Sequence, residues 1–413
     1  MSDTTARRRG ASRRQFLMGG AVAGVGAAAA IGLDAWRSGA EAMPDADSAV
    51  APSAEAVAAH GADTVPFFGT HQAGVATDAQ AHAVVLGLDL LPNVNREGLR
   101  RLMRVLSDDA SRLTQGRPAL ADSEPELAAN PARLTVTFGF GREFVDRAER
   151  AAPSWLRPLP PFTIDRLQPE FSDGDLMIQI ASNDPVTTSH AARMLHKDSR
   201  SFTSLRWWQQ GFREAYGSVA PGTTMRNLFG QVDGTANMKP GSAEFERLVW
   251  VNDGWLAGGT SMVVRRIRMQ LDTWDRLDRD GREQSVGRRL ANGAPLTGTN
   301  EHDEPDFAAV TAIGFPVIPE FSHIRRARAE NPDEQIFRRA YNYDGPPDSG
   351  GESGAGLLFI SFQRDVDEQF VPMQQRLDEL DLLNEWTTPI GSAVFAIPPG
   401  CAEGGYIGET LLG

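Results

Sequence analysis

Segments of alternating apolar residues recur in both halves of this chain, separated by segments with helical apolar spacing. Strand-like alternation falls at 83–91, 134–140, 175–181, 261–271, 356–362 and 392–397. Helical spacing falls at 95–115, 185–197, 273–281 and 367–386. A further apolar run at 313–318 is interpreted as a short buried strand. Because strands and helices do not strictly alternate and no glycine-rich nucleotide loop follows a strand, the pattern predicts an α+β protein with antiparallel sheets in two related domains.

Charge and cysteine content exclude several classes of function. The formal net charge of -13 over 413 residues argues against nucleic acid and anionic membrane surfaces as partners. The single cysteine, Cys401, excludes an intrachain disulfide framework, a cysteine-based metal cluster and a CxxCH haem attachment. Any haem bound by this chain is therefore expected to be held non-covalently or by means other than that motif.

The N-terminus has the pattern of an export signal. Arg13 and Arg14 precede a small-residue apolar run at 21–33 that is too short to span a bilayer, and an Ala-Glu-Ala sequence at 40–42 suits cleavage. The pattern predicts a twin-arginine signal peptide at 1–42, export to the periplasm or the exterior, and the twin-arginine translocase as a transient partner.

The rest of the chain divides by composition. Residues 43–62 are rich in Ala, Ser and Asp without periodicity, which predicts a linker. Folded domains are predicted at 63–228 and 229–413.

Three side chains are candidate site residues. Asp233 lies between glycines at 230 and 234, which permit close approach to a flat ligand, although an Asp-Gly pair also forms ordinary surface turns. His323 follows an apolar run and opens a basic segment, where a neutral imidazole can bind a metal, but a lone histidine is more often structural. Arg338 follows two apolar residues and is therefore tethered beside packed structure.

Ordered blocks of sequence resemble the dye-decolorizing (DyP-type) haem peroxidase family, in its exported, deferrochelatase-like branch. They are PFFGTHQAG at 66–74, GxxDG at 230–234, GGTSMVVRRIRM at 258–269, SHIRRA at 322–327, IFRRAYNYD at 336–344 and GLLFISFQRD at 356–365. The resemblance implies two ferredoxin-like domains, with haem b held non-covalently between the sheet and the helices of the C-terminal half.

The resemblance also implies roles for individual residues. His323 would ligate the iron, with Asp365 as its hydrogen-bond partner. Asp233 and Arg338 would form the catalytic pair on the other face of the haem, with Arg339 as the alternative arginine. Arg338 would also contact the haem, together with the backbone of Gly234, Thr235 and Ala236.

The function implied by the resemblance is a peroxidase. Such an enzyme reduces hydrogen peroxide and oxidises small organic reductants, such as dyes and phenols, through a high-valent iron-oxo intermediate. One alternative is a haem-handling protein of an exported iron-acquisition system, deferrochelatase-like or ferrous-iron oxidising, with iron-uptake proteins as partners. Another is a haem-binding module without turnover. A homo-oligomer is compatible with each of these functions.

Overall fold

A computed structural model describes residues 59–347, 351 and 353–413 of the protein. The signal peptide predicted at 1–42, and the linker predicted at 43–62 up to residue 58, lie outside the described residues. Among the helices of the described part, none combines the length and apolar character needed to cross a bilayer. The domain boundary predicted between residues 228 and 229 stays a prediction.

The N-terminal half of the described chain builds an antiparallel sheet with helices between its strands. In chain order its elements are β1 (His82–Leu90), α1 (Arg96–Leu113), β2 (Thr135–Phe140), α2 (Arg142–Arg147), β3 (Leu176–Ser182), α3 (Pro185–Ser199) and β4 (Thr203–Phe212). The strand order across the sheet is β2-β3-β1-β4. A β-α-β-β-α-β chain order with this pairing is the ferredoxin-like arrangement.

The two long helices of this half form where the sequence supplies both a cap and an apolar face. The side chain of Asn95 accepts a hydrogen bond from the backbone N–H of Gly98 at 3.0 Å and so starts α1. Asp184 caps α3 in the same way, through the N–H of Thr187 at 2.8 Å. The buried face of α1 packs into the hydrophobic core with side chains from β1, β2 and β3; it includes Leu99, Leu102, Leu106 and Leu113.

The C-terminal half repeats this strand order. Its strands are β5 (Thr260–Met269), β6 (Phe337–Arg338), β7 (Tyr341–Tyr343), β8 (Gly356–Gln363) and β9 (Thr387–Ile397). Strand β5 pairs with both β9 and β8, and β6 and β7 follow one another along the other edge of β8. Taking β6 and β7 as one interrupted strand, the order matches that of the N-terminal sheet, so the predicted α+β fold with two ferredoxin-like domains is confirmed.

The described helices of the C-terminal half are all shorter than α1 and α3. They are α4 (Ala243–Val249), α5 (Leu271–Trp274), α6 (Arg279–Val286), α7 (His323–Arg326), α8 (Val371–Leu380) and α9 (Glu409–Leu412). A π-helical turn at Val366–Phe370 runs directly into α8.

The two sheets meet along two narrow seams. Phe140 of β2 pairs with Ala396 of β9, and Phe212 of β4 pairs with Asn342 of β7. Together with the pairing of β5 and β8, these contacts close the described strands into a ring. Apolar side chains from both sheets form one buried cluster; it includes Val85, Met177, Trp207, Met262, Ile360 and Phe395.

Two of the predicted helices differ from those observed. The helix predicted at 273–281 is wrong: the chain forms α5 and then restarts at α6, because Asp278 caps a new helix through the N–H of Gly281 at 2.7 Å. The helix predicted at 367–386 is divided. Asp381 ends α8 and accepts a hydrogen bond from the N–H of Leu383, which opens a separate turn at Leu382–Glu385.

The buried strand predicted at 313–318 is also wrong. The segment forms an exposed hairpin in which Val310 bridges Pro316, with the side chains of Ile313 and Phe315 81% and 67% exposed. Gly314 lies in the turn at a φ of +87°, a left-handed conformation that glycine adopts without strain. The first part of the apolar run therefore forms a protruding turn, and Ile318 at its end is the residue of the run that is fully buried.

Candidate functional site

The loop that carries Asp233 is organised by the side chain of Asn227. The side-chain oxygen Oδ1 of Asn227 accepts hydrogen bonds from the backbone N–H groups of Phe229 at 3.1 Å and Gln231 at 3.2 Å. Its amide nitrogen donates to the carboxylate of Asp233 at 3.2 Å. Gly230 turns the chain at a φ of +79°, which a residue with a side chain rarely adopts. The Asn227 side chain thus fixes the loop and orients one oxygen of the carboxylate.

Arg338 holds the other oxygen of that carboxylate. Its Nη1 lies 2.9 Å from Oδ1 of Asp233 in a largely buried ion pair. The Arg338 backbone is fixed in turn by Asn237, which accepts from its N–H at 2.7 Å and donates to its carbonyl oxygen at 2.6 Å. Asp233 and Arg338, predicted as a pair from distant parts of the sequence, are therefore brought together.

Arg339 points away from this pair. It is buried and donates to the carbonyl oxygens of Thr77 and Asp78 and to the side chain of Gln80, in the N-terminal half. Successive residues of a strand face opposite sides of a sheet, so only one of two adjacent arginines can reach the loop. The structure identifies Arg338 as that arginine.

His323 is held by Asp381. Its Nδ1 lies 2.6 Å from Oδ2 of that carboxylate, and no hydrogen bond among the described residues uses Nε2. The Asp381 side chain is 2% exposed whereas that of His323 is 32% exposed. Burial lowers the pKa of His323, but the charge and hydrogen bond of Asp381 outweigh it and the net shift is upward.

The predicted partnership between Asp365 and His323 is wrong. Asp365 caps the π-helical turn instead, where its Oδ1 accepts from the N–H groups of Asp367 at 2.8 Å and Glu368 at 3.1 Å. No hydrogen bond among the described residues joins Asp365 to His323, whose Nδ1 is bonded to Asp381. Asp381, which was not predicted, carried no sequence signal, because it lies inside the predicted helix and the apolar spacing continues past it to Leu383.

The two pairs belong to one site. Arg338 lowers and Asp233 raises the pKa of His323, so both lie within electrostatic range of the imidazole. Burial lowers the pKa of the nearby Arg288, the carboxylate of Glu301 opposes that shift, and the charge of Arg338 adds to it. The site therefore contains one acid–guanidinium pair, one acid–imidazole pair and a further arginine.

Helix α8 bounds this site without burying any of its own residues. It packs on α7, which carries His323, yet the apolar side chains of Met373 and Leu377 remain half-buried. On the sheet, Phe359 of β8 is half-buried as well. An amphipathic helix normally buries its apolar stripe. These half-covered apolar side chains, with a ring nitrogen of His323 available, fit a flat apolar ligand that contains a metal.

The backbone beside Asp233 also suits close approach of a flat ligand. Gly234 has a φ of +136°, and a Cβ at this position would lie 3.2 Å from a methyl group of Thr224. A side chain is thus disfavoured at position 234, directly before Thr235 and Ala236. The donor set, an imidazole whose other ring nitrogen is held by a carboxylate, is typical of haem iron ligation.

Comparisons with known proteins point to one family. The model for the N-terminal domain of Dyp-type peroxidases matches residues 72–213, and that for the C-terminal domain matches residues 224–402. A dye-decolorizing peroxidase of Thermobifida fusca is 36% identical over all of both chains. A deferrochelatase of Yersinia pestis is 34% identical over 84% of each.

Solved structures agree with these matches. A DyP-type peroxidase from Cellulomonas bogoriensis is 53% identical, covering 86% of this chain and 99% of that one, with a TM-score of 0.84. An oxyferrous complex of DtpA from Streptomyces lividans is 40% identical at the same coverage, with a TM-score of 0.83.

Proposed function

Because this chain belongs to the Dyp-type peroxidase family, we propose that Asp233 and Arg338 carry out its peroxide chemistry and that His323 ligates its iron. The protein is a haem peroxidase, an oxidoreductase that uses peroxide to oxidise organic substrates, and its cofactor is haem b. The observation that carries the proposal is the Asp233–Arg338 ion pair within electrostatic range of the His323–Asp381 pair.

His323 and the loop around Gly234 would hold the cofactor from its two faces. The Nε2 of His323 would bind the iron, while Asp381 keeps the imidazole in the tautomer with its proton on Nδ1. The backbone of Gly234, Thr235 and Ala236 would lie against the opposite face. When bound, haem supplies an iron that binds peroxide and exchanges electrons with it.

Asp233 performs the proton transfer in this proposal. Heterolysis of hydrogen peroxide needs a proton to move from one peroxide oxygen to the other, so that the leaving oxygen departs as water. The Asp233 carboxylate accepts this proton and then donates it to the leaving oxygen. Asn227 and Arg338 each hold one carboxylate oxygen, which keeps the acceptor aimed during both transfers.

Arg338 stabilises the charge that develops during cleavage. Its guanidinium donates to Asp233 and remains partly exposed to the site, so it can also donate to the oxygen that leaves. A fixed cation in a largely dehydrated site stabilises developing negative charge more than water does. The reciprocal bonds between Asn237 and the Arg338 backbone keep that cation in place.

Substitution of the pair tests this function. We expect Asp233→Asn to lower kcat/KM for hydrogen peroxide by about 10²–10⁴-fold and Arg338→Leu by about 10²–10³-fold, with the Soret band retained. A dye or phenol oxidation assay measures the rate. Asp275→Asn, which removes an exposed carboxylate, should keep the parent rate. Parental activity in both site variants would eliminate the proposed roles.

We propose release of iron from haem as a second candidate function. It is supported by the 34% identity to a deferrochelatase of Yersinia pestis over 84% of the chain. Incubation with haem should then yield metal-free protoporphyrin, detectable by its fluorescence. The same incubation with a His323→Ala variant provides the control, and no porphyrin above that control would exclude this function.

We further propose export by the twin-arginine pathway, with residues 1–42 as the signal peptide. Arg13 and Arg14 ahead of a weakly apolar run support this proposal. Replacing both arginines with lysine should retain the protein in the cytoplasm, which cell fractionation measures. We also propose iron-uptake proteins as partners, which affinity capture tests. A homo-oligomeric state is proposed as well, and sedimentation tests it.

A further inference from the structure

One carboxylate holds both ends of the loop that carries Asp233. The Oε1 of Glu301 accepts a hydrogen bond from the hydroxyl of Thr224 at 2.6 Å and from the hydroxyl of Thr235 at 2.9 Å. Thr224 precedes the loop, and Thr235 lies two residues after Asp233. The two strands of the loop are joined through Glu301 as well as through the backbone bridge between Arg226 and Val232.

The segment that contains Glu301 contacts the loop at further points. Arg226 donates to the carbonyl oxygens of Leu290 at 2.8 Å and Ala291 at 2.9 Å. Gly293 packs so closely on Val232 that a Cβ there would lie 2.8 Å from that side chain. The loop therefore rests on the segment 288–301 along its length.

Arg288 fixes Glu301 within that segment. Its Nη1 donates to the carbonyl oxygen of Glu301 at 2.9 Å and to that of Gly293 at 2.7 Å. The Glu301 backbone is thus held by the largely buried guanidinium of Arg288. The side chain of Glu301 is 24% exposed. Because the backbone of Glu301 is fixed, its carboxylate can determine the positions of the Thr224 and Thr235 hydroxyls and of the backbone between them.

We propose that Glu301 is a positioning residue for Asp233, acting through Thr224 and Thr235. This inference rests on the proposed catalytic role of Asp233. Glu301 sets the position of the 224–235 loop, and with it the distance between the Asp233 carboxylate and the peroxide oxygens. A displacement of about 1 Å at a catalytic group can cost on the order of 10²-fold in rate.

Glu301→Ala and Glu301→Gln, each with and without Asp233→Asn, form the test. We expect Glu301→Ala to lower kcat/KM for hydrogen peroxide by about 10–100-fold, while KM for the organic reductant and the Soret band stay at their parent values. Glu301→Gln keeps an acceptor oxygen and should recover most of that loss. In the Asp233→Asn background, Glu301→Ala should have almost no further effect, because the group that it positions is absent.

The matched control is Glu304→Gln. Glu304 is a highly exposed carboxylate three residues away that pairs with Arg328, and its substitution should leave all these parameters unchanged. Loss of rate in Glu301→Ala of equal size with and without Asp233→Asn would overturn the positioning role while leaving Asp233 as the catalytic acid–base. A parental rate in Asp233→Asn alone would overturn the proposed function itself, and this inference with it.

Discussion

At the scale of single residues, each charged group of the site is oriented by a hydrogen-bonding partner. Asn227 and Arg338 hold the two oxygens of Asp233, Asn237 holds the backbone of Arg338, and Asp381 holds His323. Asn227 and Asn237 are neutral amides, which orient without adding charge.

The partner of His323 gives a prediction at this scale. Asp381→Asn removes the carboxylate charge from Nδ1, so we expect haem affinity or peroxidase activity to fall by about 10–100-fold. Haem titration followed at the Soret band and the peroxide assay measure these effects. Asp365→Asn is the matched control, since Asp365 only caps a turn. The assignment is refuted by a larger loss in Asp365→Asn than in Asp381→Asn.

Residues whose role depends on a single contact were the hardest to predict from sequence. The resemblance led to Asp233 and Arg338, and the ion pair between them is present. It led to Asp365 instead of Asp381, because both acids lie near the ends of the same apolar helical segment and sequence does not specify how far that segment continues. Glu301 carried no sequence signal at all, since its role arises from two threonines far away in the chain.

At the scale of elements, the N-terminal helices α1 and α3 carry an unusual pair of acids. Asp109 of α1 is buried, and the carboxylate of Asp198 of α3 lies within electrostatic range of it. Burial raises the pKa of Asp109, a hydrogen bond from the Leu120 N–H opposes this, and the charge of Asp198 raises it further, to about 6. The helices therefore pack best when this pair holds a proton.

The sign of the resulting pH dependence is set by that upward shift. The folded-state pKa of Asp109 exceeds its ordinary value of 3.8. The contribution of Asp109 to the free energy of unfolding is therefore fully present below pH 3.8 and is lost as the pH rises to about 6. Asp109→Asn, which mimics the protonated acid, should raise the free energy of unfolding by about 1–3 kcal/mol above pH 6 and change it little at pH 4.

Denaturant unfolding at pH 4 and pH 8 measures this difference. Asp146→Asn, at a half-exposed surface pair with Arg142, is the control and should show no such pH dependence. An equal change in stability at both pH values for Asp109→Asn would rule out a shared proton between the helices.

Element type was predictable wherever apolar periodicity and a cap agreed. Asn95 and the leucines after it define α1, which the sequence places at 95–115 and the structure at Arg96–Leu113. The errors arose where apolar residues lacked a partner surface. Ile313 and Phe315 are as apolar as core residues, but sequence alone does not tell whether a run faces the interior or projects on a hairpin.

At the scale of the whole molecule, the two sheets depend on narrow contacts at their seams. Glycines in the N-terminal strands allow this approach: a Cβ on Gly211 of β4 would lie 2.6 Å from the Cβ of Tyr341 on β7. A Cβ on Gly139 of β2 would lie 3.0 Å from the Cβ of Phe395 on β9. The sequence of a single strand does not reveal that glycine is needed there, because the side chain that a Cβ would meet lies in the other half of the chain.

Enlarging a seam glycine tests this arrangement. We expect Gly211→Val to destabilise the protein by about 1–3 kcal/mol, since the added atoms overlap Tyr341 and force the strands apart. Thermal unfolding of the holoprotein measures the change. Gly69→Ala, where the nearest atom to the new Cβ lies at 3.7 Å, is the control. An unchanged melting temperature in Gly211→Val would show that the seam tolerates separation.

Helix α8, with no buried residue of its own, makes the prosthetic group a structural component as well as a reagent. The porphyrin would complete the apolar interior on that side of the protein, much as a missing side chain would. Binding of haem is therefore expected to raise the free energy of unfolding as well as to supply the reactive iron.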